Sequence, residues 1–153
     1  HTPEEVEAQF GHLLEAFRAI RARPGDPVAN LTGMMEAYCR FALEHPDQYR
    51  LSFLVKEFLD KDTLGPLSKA DVVADLGIVG PLVGEELAAQ VQSCMERGLL
   101  RSADPGLVTE TIWALGHGLV SLLIIHPQFL DHDPSALLKA SIAMALDGLR
   151  PRT

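Results

Sequence analysis

Residues 112–125, IWALGHGLVSLLII, are apolar or small at every position except His117 and Ser121. A helix of this composition has no side suited to water and must be covered all round. No run in the chain reaches the roughly 18 uninterrupted apolar residues of a typical membrane span, so a core helix is the better interpretation. We therefore predict a soluble protein, without a membrane partner, in which a helix over about 105–126 lies at the centre.

The segment 134–149 predicts a second, equally apolar helix, whose polar positions are Ser135, Lys139, Ser141 and Asp147. A terminal helix is normally half exposed, so the excess of apolar surface favours a partner. Small residues on both helices would let two chains approach closely in a four-helix contact around a two-fold axis. The predicted homodimer interface comprises Gly118, Leu122, Leu138, Ile142, Ala145 and Leu149. The alternative is a monomer that wraps this pair with its own earlier helices.

Proline marks the start of most other helices, because its missing N–H costs nothing in the first turn. Starts are predicted at Thr2-Pro3 with a capping box to Glu5, at Asp26-Pro27, at Asp47, at Pro81, at Asp104-Pro105 and at Asp133-Pro134. The first helix is predicted over about 3–22, the second ends at Pro46, the short third carries Tyr49, Phe53 and Leu54, and Gly98 ends the fourth. Residues 60–80 are predicted to form a loop with at most one or two helical turns near 67–75. Alternating strand patterns are absent, so the fold class is all-α, a helical bundle.

Composition and net charge limit the number of domains, the binding partners and the cellular location that the sequence predicts. The 153 residues, 47% of them hydrophobic, suffice for a single domain spanning 1–153. A net charge of −8 argues against direct contact with nucleic acid. Cys39 and Cys94 lack the spacing of a disulfide framework or a zinc site. No signal peptide pattern is present, and a reducing cytoplasm is the predicted location.

Two segments resemble a known family. Residues 113–119, WALGHGL, are similar to the W…HG signature in the C-terminal regulatory domains of TetR-type transcriptional repressors. Residues 38–53, YCRFALEHPDQYRLSF, resemble that family's helix–His-Pro–helix junction. The resemblance implies an all-helical ligand-binding and dimerisation domain whose last two helices form a four-helix bundle in the dimer.

The resemblance also implies a small-molecule pocket in each subunit and DNA binding through an N-terminal helix-turn-helix domain. Nothing before Thr2 supplies such a domain, so this chain alone is not expected to bind an operator. The effector is expected to be small and largely apolar, and no cofactor is implied.

The candidate ligand-binding residues are Met34, Tyr38, Phe53, Met95, Trp113 and His117. Thioethers adapt to varied apolar ligands, and a tyrosine hydroxyl supplies one oriented polar contact. Met35 and Phe41 were candidates of the same kind, and each of these side chains could instead be ordinary core. His117, one turn after Trp113, could contact an effector or could be a packing histidine satisfied by another side chain or a carbonyl.

Two other site types have weaker support. His126, Asp131, His132 and Asp133 could hold a metal, but helix capping and turn chemistry already account for most of them, so no metal site is predicted. Ser121 follows His117 by four residues, yet lacks an orienting carboxylate and more typically would bond the carbonyl four residues back. We therefore predict no enzyme. The leading hypothesis is a TetR-like effector-binding domain, and the alternative is a stand-alone dimerisation module without a ligand.

Overall fold

A computed structural model describes residues 3–50 and 79–152. Its helices are α1 Pro3–Arg21, α2 Pro27–Glu44, α3 Pro46–Tyr49, α4 Val79–Glu96, α5 Pro105–Ile125 and α6 Pro134–Leu149, with a 3₁₀ turn at Pro127–Phe129. No strand occurs within the described ranges. The predicted all-α class is confirmed.

Aspartate caps three of the helices as their sequences predict. Asp26, Asp104 and Asp133 each accept a backbone N–H from the residue two positions further on. These bonds satisfy donors that the first turn of a helix leaves unpaired. The capping pattern therefore fixed the starts of α2, α5 and α6 correctly.

Two predicted starts were wrong. Helix α4 begins at Val79 and contains Pro81 in its first turn, where a proline is tolerated as well as at the first position. Helix α3 begins at Pro46 with no side-chain cap, and Asp47 is a helical residue. Phe53, Leu54 and the predicted loop up to residue 78 lie outside the described residues.

Helix α4 ends at a glycine that adopts a left-handed conformation. Gly98 has φ +71°, and the following Leu99 N–H donates to the Cys94 carbonyl at 2.9 Å. This return of the chain closes the helix in the manner of a Schellman turn. The predicted end of the fourth helix is confirmed.

The core lies between α1, α2 and α4, and α5 and α6 close it on one side. Its most deeply buried members are Phe17, Leu31, Met34, Val91 and Cys94, each no more than 1% exposed. Burial of such side chains contributes roughly 1.5–3 kcal/mol each relative to exposure. The core therefore fixes the positions of the five longer helices that surround it.

Charged and polar contacts also tie α4 to the first two helices. Glu86 accepts from Arg21 at 2.6 Å and from Arg18 at 3.4 Å, so α1 and α4 are held by a three-residue ion pair. The buried Gln90 amide donates to the Pro27 carbonyl at 2.9 Å, joining α4 to the start of α2. These contacts join α4 to both α1 and α2.

The expectation that α5 is covered all round is wrong for a single subunit. One side of the helix contacts α2, α4 and α6, and the opposite side is open. The open side consists of Leu107, Thr111, Ala114, Gly118, Leu122 and Ile125, which we call the outer stripe. Leu107 is 62% exposed and Leu122 is 46% exposed.

Helix α5 is also the one described helix that is long and apolar enough to cross a membrane by length and composition. Helices that bury themselves against protein pass the same test.

The structure turns the predicted interface residues of α6 inward. Ile142 is 5% exposed, and Leu138, Ala145 and Leu149 are partly buried against the core of their own subunit. The outward side of α6 instead presents Ala136, Ala140, Ala143 and the 75% exposed Met144, together with the exposed Asp147, which pairs with Arg150. Because α6 is apolar on nearly every side, its sequence pattern did not distinguish the two sides.

Candidate functional site

A cavity of about 630 Å³ lies between α1, α2, α4, α5 and α6. This volume is within the range of small-molecule sites in proteins. Most of its lining is apolar, and includes Phe10, Leu13, Phe17, Met34, Met35, Val83, Leu87, Ile112, Leu119, Leu138 and Ile142. An occupant would therefore bury mainly hydrocarbon surface.

The structure brings three of the six candidate ligand residues to this cavity. Met34, Tyr38 and Trp113 line it. Met95 packs against the core elsewhere, and His117 is not among the lining residues. Phe53 lies outside the described residues.

A chain of hydrogen bonds runs from the cavity wall to His117. The Trp113 indole N–H donates to the Tyr38 hydroxyl at 2.8 Å, and the hydroxyls of Tyr38 and Tyr49 are 2.6 Å apart. The Tyr49 hydroxyl is in turn hydrogen-bonded to Nδ1 of His117. We call these four side chains the Trp–Tyr–Tyr–His network.

A close helix crossing makes this network possible. Gly116 faces α2, and a Cβ atom at this position would lie 3.6 Å from Tyr38 Cδ1 and 3.7 Å from Cys39 Sγ. The small residue keeps α5 near α2, so Trp113 and His117, one turn apart, both reach the tyrosines. Gly116 therefore serves packing within the subunit, whereas Gly118 lies on the outer stripe with open space around it.

Burial keeps Tyr38, Tyr49 and Cys39 uncharged. It raises the pKa of Tyr38 to about 12 and also raises the pKa of Tyr49. The pKa of the Cys39 thiol, which lines the cavity, is raised to about 11 for the same reason. Near neutral pH these groups therefore offer dipoles to a ligand, not charges.

Two carboxylates complete the lining. Glu85 comes from α4 and Glu110 from α5, and both residues are exposed. No lysine, arginine or histidine is among the described lining residues. The cavity thus combines apolar walls with negative charge at its solvent-exposed part.

The structure explains the roles of Ser121 and Asp133, which belong to the two weaker candidate sites. The Ser121 hydroxyl donates to the His117 carbonyl at 2.6 Å, which is the helix-internal bond expected of serine in an apolar helix. Asp133 caps α6 through Ser135 and Ala136. In the part of the chain that the structure describes, no group of three or more His, Cys, Asp or Glu residues is placed to hold a metal ion.

Sequence reasoning missed the contribution of α1 and the two glutamates. Phe10, Leu13 and Phe17 form the apolar stripe of α1, a signal that predicts burial but not burial against a cavity. Glu110 had a more specific signal, since it is the one charged residue within the sequence of α5.

The all-α subunit thus combines a mostly apolar cavity with an exposed apolar side. The pattern of the tetracyclin repressor-like C-terminal domain matches residues 31–145 of the sequence. This chain belongs to that family, as the resemblance of residues 38–53 and 113–119 implied.

Solved structures share the fold. A protein of unknown function from Rhodococcus sp. RHA1 superposes with a TM-score of 0.73 at 21% identity, over 97% of this chain and 71% of the other. A transcriptional regulator of the TetR/AcrR family from Thermobifida fusca YX-ER1 gives a TM-score of 0.68 at 18% identity, over 95% and 71%. No curated protein matches the sequence significantly. The family assignment supports a role in transcriptional regulation.

Proposed function

We propose that this domain senses a small, mostly apolar effector and forms a homodimer in the cytoplasm. The observation that carries the proposal is the 630 Å³ cavity lined by five helices. In this proposal a helix-turn-helix domain outside these residues binds DNA as a repressor, and effector binding here controls it.

The mechanism is a shift between two populated conformations. The cavity is lined by residues of both α1 and α4, and Glu86 joins these helices through Arg18 and Arg21. An effector that favours one position of α4 would therefore also favour one tilt of α1, the proposed linking helix. The size of the response is limited by the difference in affinity for the two states.

The homodimer proposal rests on the two exposed apolar sides described above. The outer stripe of α5 and the Ala136, Ala140, Ala143 and Met144 side of α6 would pair with the same surfaces of a second copy. Exposed contiguous apolar surface of this kind typically marks an interaction site. Gly118 and Leu122 of α5 remain in the proposed interface. On α6, the outward residues replace the four inward residues that the sequence had predicted for the interface.

Native mass spectrometry of the purified chain tests both parts. A dimer that retains an additional small molecule, or accepts an added apolar one at one per subunit, is the expected result. A dimer that takes up no apolar molecule would favour the alternative, a dimerisation module without a ligand. A monomer at micromolar concentration would contradict the proposed interface.

A further inference from the structure

The charged residues among the described lining of the cavity are both acidic. Glu85 and Glu110 are the charged residues among its described lining, and neither is balanced there by a cation. Neither carboxylate forms an ion pair with another residue in the described ranges, whereas the neighbouring Glu86 binds both Arg18 and Arg21. Two negative charges thus remain available to a ligand.

Glu110 lies on the side of α5 that faces the cavity. The helix has 21 residues and one charge, which lies on the cavity side and not on the outer stripe. Trp113 follows it by one turn and also lines the cavity, 47% exposed. A cation beside both residues would gain attraction to the carboxylate and to the face of the indole.

The N-terminal ends of α4 and α5 carry partial positive charge. This charge opposes that of the two carboxylates, but it is weaker. The first turns of α4 and α5 reach the cavity through Gly80, Pro81 and Gly106, and each helix start carries about half a positive charge. The Asp104 carboxylate accepts the Gly106 N–H and so offsets this charge at α5. Two full negative charges outweigh what remains, and the neutral Tyr38 and Cys39 add no charge.

We propose that the cavity binds an amphiphilic cation, an amine or quaternary ammonium group beside Glu85, Glu110 and Trp113 with its hydrocarbon tail among Met34 and Phe17. This inference rests on the proposed function, since it names the class of effector for the same cavity. The exposed carboxylates act partly through solvent, so the charge selects among apolar ligands and the hydrocarbon contacts supply most of the affinity.

Three probes with one hydrocarbon chain test the proposal: decyltrimethylammonium chloride, 1-decanol and sodium decanoate, each titrated below its micelle concentration or solubility limit. Trp113 is the sole tryptophan of the chain, so its fluorescence reports binding at the cavity, and calorimetry checks the stoichiometry. At low salt we expect the cation to bind about tenfold more tightly than the alcohol, and decanoate to bind more weakly than the alcohol.

The Glu85→Gln and Glu110→Gln variants test the origin of the preference. Each should reduce the ratio of cation affinity to decanol affinity severalfold. Glu15→Gln, an exposed residue of α1 away from the cavity, is the control for the change in net charge and should bind all three probes as the unaltered chain does. Thermal unfolding of each variant verifies that the fold is kept.

The outcomes separate the two proposals. Equal affinity for cation and alcohol, or a preference for decanoate, would overturn the cation proposal and leave an apolar effector cavity. A cation preference that Glu15→Gln weakens as much as the cavity variants do would also overturn it. If none of the three probes binds, both the cation proposal and the proposed effector function fail.

Discussion

At the scale of single residues, the Trp–Tyr–Tyr–His network shows how a polar group is tolerated in an apolar helix. His117 lies in an apolar stretch and satisfies Nδ1 through Tyr49, which is 2% exposed. Trp113, at the cavity, donates a hydrogen bond to the Tyr38 hydroxyl. Tyr38 is in turn hydrogen-bonded to Tyr49 and so connects Trp113 to His117. A ligand that competed for the Tyr38 hydroxyl would therefore disturb a hydrogen bond that reaches α2 and the short α3.

The two tyrosines are expected to differ in their contribution to stability. Tyr49→Phe should lower the free energy of unfolding by about 1–3 kcal/mol, because it leaves buried polar partners without that hydroxyl. Tyr38→Phe should cost about 1 kcal/mol or less, since Trp113 is exposed enough to bond to water instead. Urea unfolding of both variants measures the difference, and a larger loss for Tyr38→Phe would contradict the proposed order.

Alkaline pH should weaken the fold through Tyr38. Its pKa rises from 10.0 to about 12 on folding, so the folded chain holds the proton more tightly than the unfolded chain. The contribution to stability is complete below pH 10 and is lost as the pH rises toward 12. We expect Tyr38→Phe to lose less stability than the unaltered chain between these pH values, as measured by urea unfolding. Equal losses would show that Tyr38 does not titrate in this way.

At the scale of elements, the contact between α1 and α4 connects the cavity to the proposed linking helix. Glu86 is largely covered and lies next to Glu85, which lines the cavity. The hydrogen bond from Arg21 is the main cause that lowers the pKa of Glu86, with Arg18 adding to the effect. This ion pair therefore contributes to the stability of the helix pair as well as to its coupling.

Glu86→Gln should lower the unfolding temperature by about 2–4 °C, in keeping with a loss near 1 kcal/mol in a chain of this size. Because the folded pKa is lowered, the stabilisation is present above the ordinary pKa of 4.5 and is lost as the pH falls through the lower folded value. The difference between Glu86→Gln and the unaltered chain should therefore shrink in acid. Glu15→Gln is the matched control, and an equal temperature shift for it would contradict a local effect.

At the scale of the whole molecule, the open sides of α5 and α6 are the surfaces through which we propose that two subunits associate. Leu122 and Met144 belong to these sides, at 46% and 75% exposure. A charge at either position would have to be buried without a partner if two copies pair there.

Leu122→Glu and Met144→Glu should each convert the proposed dimer to monomer at micromolar concentration, with little change in the helix content of the monomer. Leu99→Glu is the matched control, because Leu99 is an exposed leucine, 37% accessible, that lies beyond the end of α4 and outside the proposed interface. Analytical ultracentrifugation measures the state of all three. If both interface variants sediment as the unaltered chain does, the dimer uses another surface.

The sequence alone determined the helical class, the ends of most helices and the family. The helical class and the helix ends depend on local signals: Asp-Pro caps, the glycine at position 98, and helical periodicity of apolar residues. The family followed from the resemblance of residues 38–53 and 113–119. Local signals are decided by neighbours in the chain, so they can be read without knowing the fold. The inclusion of Met34, Tyr38 and Trp113 in the cavity lining was also anticipated from residue chemistry.

Only the tertiary structure decided which sides of the helices meet. The inward position of Ile142, the outward position of Met144, the pairing of His117 with Tyr49 and the placement of Glu85 and Glu110 at one cavity depend on contacts between distant segments. Helices α5 and α6 are apolar nearly all round, so their sequences are compatible with several rotations about the helix axis. Packing of α5 against α2 and α4, and of α6 against α2 and α5, selects the rotation that buries Ile112 and Ile142 in the core.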